Sequence, residues 1–84
     1  MQRVSTLMAK LVRAAGGNQG IAAKALALAV KQSAHRDAKA RLIGQADVSR
    51  WASGKRVPDA MVDIALRKCF EAAEKKAKEL RQTP

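Results

Sequence analysis

Apolar residues recur at intervals of three and four positions along most of this 84-residue chain. Such spacing puts them on one side of an α-helix, and no run alternates apolar and polar residues as a half-buried strand does. Good helix formers dominate the composition, whereas only one Trp, one Phe and no Tyr are present. The sequence therefore predicts an all-α fold, a small bundle of four to five helices in a single domain of residues 1–84.

Residues that stop or cap helices separate the first predicted segments. Residues 4–15 form the first helix, which ends at Gly16 and Gly17 because these can adopt the positive φ of a helix terminus. Asn18 is a good N-cap for a second, alanine-rich helix over residues 19–33. Asp37 can cap a short helix over residues 38–43.

The second half of the chain has its own boundary residues. Gly44 breaks the chain, and a helix is predicted from about residue 46 to Gly54. Pro58 prevents that helix from continuing, and Asp59 caps the longest helix, over residues 60–81. Its pattern thins after residue 73, which predicts either a solvated helix or the arm of an oligomer. Its predicted inner side comprises Met61, Val62, Ala65, Leu66, Cys69, Phe70 and Ala73.

The net charge of +10 is unevenly distributed. Residues 1–58 carry eleven Lys and Arg against two acids, a balance of +9, whereas residues 59–84 carry six against five, a balance of +1. A compact, strongly basic domain most often binds nucleic acid, although a merely soluble basic protein has a similar composition. Residues 1–58 are therefore expected to be the DNA-binding part, and residues 59–84 a candidate oligomerisation helix.

Several other classes of protein are not expected. Cys69 and His35 are the only residues of their kinds, which excludes an intrachain disulfide and argues against a metal site. No phosphate-binding loop or nucleophile–base pair is present, so we expect no enzyme, cofactor or small-molecule substrate. The start of the chain does not resemble a signal peptide and no apolar run could span a membrane, which predicts a cytoplasmic protein.

Residues 45–53 combine two features of a DNA-recognition helix. Val48 and Trp51 share one side of the predicted helix and are expected to anchor it in the core. The opposite side carries short polar groups and one arginine, which can reach base edges in the major groove. The predicted base contacts are Gln45, Ala46, Ser49, Arg50 and Ser53.

Basic residues around this helix are candidates for phosphate contacts, which fix a protein on DNA without reading its sequence. Lys55 and Arg56 follow the helix directly, and Lys39 and Arg41 precede it. Lys24 and Lys31 of the second helix are further candidates.

The segment Val48-Ser49-Arg50-Trp51, followed by Gly54-Lys55-Arg56-Val57-Pro58, resembles the second half of the helix-turn-helix in phage repressor, Cro and CII-type regulators. Residues 21–27 are similar to the alanine-rich first helix of that motif. CII-like activators are the most similar, because there a Ser-Arg-Trp precedes an apolar-Pro pair. The resemblance implies a transcriptional regulator encoded by a phage or mobile element.

The spacing of the two halves departs from that motif. Aligning Val48 with its usual position puts Leu42 where a glycine is normal, and Gly44 comes two residues late. Either residues 38–43 form the first helix with an altered turn, or residues 31–44 are an insertion into an expanded motif. The insertion is favoured, because a helix over residues 38–43 is too short to pack well.

The sequence thus predicts a sequence-specific regulator that binds double-stranded DNA as a homodimer or higher oligomer in a bacterial host cell. Two alternatives stay open. One is a non-specific architectural or RNA-binding basic protein, and the other is a protein–protein adaptor of the antitoxin or anti-repressor kind.

Overall fold

Four helices make up the part of the chain that the computed structural model describes, residues 2–32 and 43–82. They are α1 (Val4–Ala14), α2 (Gln19–Gln32), α3 (Gln45–Ser53) and α4 (Ala60–Gln82). No strand occurs in these residues, so the all-α prediction is confirmed. No helix among them is long and apolar enough to cross a membrane.

The residues predicted to end α1 and to start α2 do so, although α1 ends at Ala14, one residue before its predicted end. Gly16 and Gly17 have φ angles of 71° and 85°, and their amides donate to carbonyls in the last turn of α1. Asn18 then caps α2, since its Oδ1 accepts a hydrogen bond of 3.1 Å from the amide of Ile21. These two devices turn the chain between α1 and α2 within a few residues.

A polar contact also fixes the start of α3. Gly44 is extended, with φ −117° and ψ 177°, and its amide donates to Oδ2 of Asp47 at 3.0 Å. The carboxylate lies in the first turn, where the helix dipole favours negative charge. The helix begins at Gln45, one residue before its predicted start.

The core lies among all four helices, and α2 and α4 share its largest contact. Because many of its residues are alanines, the helices can approach one another closely. No polar or charged side chain is buried among the described residues. The largest fully buried side chains are Met8, Leu11, Leu26, Val30, Val48 and Leu66.

The structure corrects the predicted inner side of α4 at one position. Met61 is 58% exposed, whereas its neighbour Val62 is only 5% exposed. Adjacent residues on a helix are 100° apart, so only one of them can face the core. Beyond Ala73 the inner side continues, because Ala77 is fully buried and Leu80 packs against the core. This end of α4 therefore packs on its own chain.

Gln32 is the last described residue of α2, and α3 starts at Gln45. Residues 33–42 lie outside the described residues. They include most of the predicted short helix over residues 38–43, most of the proposed insertion, and Ser33 at the predicted end of α2. Ile43, the last residue of the predicted helix, is buried but not helical, so that prediction is wrong at this residue.

Candidate nucleic-acid interface

Helix α3 is held in the bundle by two apolar side chains. Val48 is fully buried and Trp51 is 8% exposed, as expected for anchors of this helix. The helix contacts α1 and α2, which together support its inner side. Its other side is left at the protein surface.

The side of α3 away from the core carries the five predicted base-contacting residues, which we call the outer face of α3. Ser49 is half-buried and the other four are exposed. Ser53 Oγ donates to the Arg50 carbonyl at 3.1 Å, which orients this hydroxyl toward its own helix. The guanidinium of Arg50 can donate two parallel hydrogen bonds to a guanine edge. The outer face consists of Gln45, Ala46, Ser49, Arg50 and Ser53.

The end of α3 places two cations beside the outer face. Gly54 has φ 77°, and its amide donates to the Trp51 carbonyl at 3.2 Å. The amide of Lys55 donates to the Arg50 carbonyl at 3.0 Å, which completes the hydrogen-bond pattern of a Schellman motif. Because the backbone reverses here, the exposed Lys55 and Arg56 stay close to the helix end.

A third cation, Arg3 from the start of the chain, lies near this end of α3. An open groove is lined by residues of three segments, among them Arg3, Trp51 and Arg56. Arg67 of α4 is also there, and its Nη1 donates to the Gln2 carbonyl at 2.7 Å while its Nε pairs with Asp63. Arg3 was not among the predicted phosphate contacts, because only tertiary packing places it in the groove that Arg56 also lines.

At the other end of α3, two helix N-termini lie next to each other. A Cβ atom on Gly20, the second residue of α2, would lie 3.5 Å from Oε1 of Gln45, the first residue of α3. Free amides give helix N-termini a positive potential. The Asp47 carboxylate offsets this potential at the start of α3, so the cations next to the outer face lie at its C-terminal end.

The remaining predicted phosphate contacts are distributed differently. Lys24 and Lys31 are exposed on α2. Lys39 and Arg41 lie outside the described residues.

The described residues include no group of three or more His, Cys, Asp or Glu side chains that could hold a metal ion. Cys69 is buried in α4. The outer face of α3, by contrast, is mostly exposed.

Comparisons of the chain with models of known protein families, with curated proteins and with solved structures found no match.

Proposed function

We propose that this protein is a sequence-specific regulator of transcription that binds double-stranded DNA, with α3 in the major groove. The observation that supports this most is the two-sided character of α3. Val48 and Trp51 are buried beneath it, while Arg50 and its short polar neighbours are presented outward. A recognition helix needs a rigid attachment and a row of side chains that reach base edges.

Positive charge at the C-terminal end of α3 supports the same function. Lys55, Arg56 and Arg3 lie there, and the whole chain carries a net charge of +10. Lysine and arginine at such positions neutralise phosphates and fix the register of a helix in the groove. The proposal extends to the phage or mobile-element origin implied by the resemblance to CII-like activators, and to action without a cofactor in the bacterial cytoplasm.

We also propose that the protein acts as a homodimer through the start of α4. Three large apolar side chains are exposed among the described residues: Val57 (83%), Met61 (58%) and Ile64 (45%). A single recognition helix reads few base pairs, whereas a dimer reads two half-sites about 34–36 Å apart. Sedimentation velocity of Met61→Gln/Ile64→Gln tests this: the variant should be monomeric where the parent protein is dimeric, and a parent that is monomeric at all concentrations contradicts it.

Selection of bound sequences from a random DNA pool at two salt concentrations tests the function. We expect an enriched motif with two-fold symmetry at both concentrations. Binding without enrichment and with a steep salt dependence would instead indicate an architectural protein. No binding to duplex DNA at low salt would favour the adaptor alternative.

Two variants then separate base reading from phosphate binding. Arg50→Ala should cost about 1–3 kcal/mol on the selected sequence and relax base preference at one position. Lys55→Ala, five residues further along, should weaken binding equally on selected and random duplexes. If Arg50→Ala keeps full discrimination in competition binding, α3 does not read the sequence as proposed.

A further inference from the structure

A second basic surface lies between α1 and α4, away from Lys55 and Arg56 in the sequence. An open groove there, which we call the α1/α4 groove, is lined by four cations, by Ala14 and by a single acid, the half-buried Glu74. The ion pairs found among the described residues, Arg67–Asp63 and Lys76–Glu79, involve none of the four. The cations are Lys10, Arg13, Lys78 and Arg81, and all are exposed.

The turn between α1 and α2 connects this groove to the start of α3. A Cβ on Gly16 would lie 3.2 Å from Cδ of Arg81, and a Cβ on Gly20 would lie 3.5 Å from Oε1 of Gln45. Gly16 and Gly20 are four positions apart, and even a fully extended chain of that length spans only about 14 Å. The Arg81 and Gln45 side chains therefore lie within about 24 Å of each other, which is less than the ~34 Å of one turn of duplex DNA.

The α1/α4 groove can contact the same DNA site as α3. A recognition helix lies in the major groove, and phosphates continue along the duplex on both sides of it. Lys55 and Arg56 follow the C-terminal end of α3. The α1/α4 groove adds four cations within one turn of duplex DNA of its N-terminal end.

We propose that the α1/α4 groove binds the phosphate backbone that borders the major groove on the N-terminal side of α3. This inference rests on the proposed DNA binding and adds a second backbone contact to it. It also assigns a DNA-binding role to α4, whose sequence is nearly neutral overall, because the folded chain groups Lys78 and Arg81 with two cations of α1.

The salt dependence of binding tests the proposal. The probe is a random-sequence duplex of about three helical turns, titrated between about 0.05 and 0.2 M salt. The variant is Lys10→Gln/Lys78→Gln, with one change on each side of the groove. The control is Lys68→Gln/Lys75→Gln, which removes the same charge from exposed positions on another surface of α4. Circular dichroism checks that both variants are folded.

Each phosphate contact contributes about −0.9 to the slope of log K against log salt. If both lysines contact phosphate, the slope of the groove variant should become shallower by about 1.8. With affinities converging at 1 M salt, its affinity at 0.1 M should fall roughly 60-fold, which is about 8-fold per contact. The control variant should keep the parental slope.

Other results would overturn the proposal. An equal loss in both variants would mean that only net charge matters, and no loss in either would mean that the groove does not touch DNA, as expected if it binds an acidic protein. In these cases sequence selection by the parent protein would still support the proposed function. A parent protein that binds no duplex at 0.05 M salt would remove both proposals together.

Discussion

Replacing Trp51 with alanine tests whether this residue anchors α3 or contacts DNA itself. An aromatic side chain buries about 150–250 Å². Because Trp51 is only 8% exposed, at ~25 cal/mol per Å² its burial is worth roughly 3.5–6 kcal/mol. Truncations of buried aromatic residues cost about 3–5 kcal/mol, so we expect Trp51→Ala to lose about 4 kcal/mol.

That loss is large for a domain of this size. At ~0.05–0.15 kcal/mol per residue, 84 residues give a free energy of unfolding of roughly 4–13 kcal/mol. Urea unfolding followed by far-UV circular dichroism measures the change, since the variant lacks the only Trp and cannot be followed by its fluorescence. The matched control is Arg50→Ala on the same helix, whose exposed side chain should change stability by less than about 0.5 kcal/mol.

The two variants should therefore lose different properties: Trp51→Ala should lose stability, and Arg50→Ala should lose discrimination between DNA sequences. A Trp51→Ala protein that loses less than about 1 kcal/mol yet no longer binds DNA would refute the reasoning. Its indole would then act at the surface, where aromatic side chains stack on bases.

Three further substitutions test the local devices that define the helices. Gly54→Ala should cost about 1–2 kcal/mol in urea unfolding, purely from the φ of 77°, because no atom lies within 4 Å of the added Cβ; an unchanged midpoint would argue against this turn. Asn18→Ala should lose about 1 kcal/mol, and Asn18→Ser should restore most of it in the same thermal melt, since serine also caps. Asp47→Ala should lower stability by about 1 kcal/mol, and equal stability of the two proteins at neutral pH would show that its bond to Gly44 contributes nothing.

The helix boundaries could be predicted from the sequence because local chemistry decides them. Gly16, Asn18 and Gly54 act through their own backbone angles or through an amide a few residues away. The burial of Val48 and Trp51 follows from helical periodicity alone. These features require no knowledge of distant parts of the chain.

Contacts between distant segments could not be predicted in this way. Met61 and Val62 are both apolar neighbours, and only packing against the rest of the bundle decides which one is buried. Arg3 and Arg56 line one groove and Arg13 and Arg81 another, and both groupings depend on how α1 lies against the other helices. The net charge of residues 59–84 therefore did not reveal that Lys78 and Arg81 of α4 form a basic surface together with residues of α1.

The small number of anchors beneath α3 has a consequence for its local stability. An isolated helix shorter than ~12–15 residues is marginal in water, and α3 has nine residues with two buried side chains. Its backbone amides should consequently exchange with solvent through local opening, at a lower free energy than those of α2 and α4. DNA bound to the outer face would oppose that opening, so amide exchange in α3 would slow in proportion to the affinity of the complex.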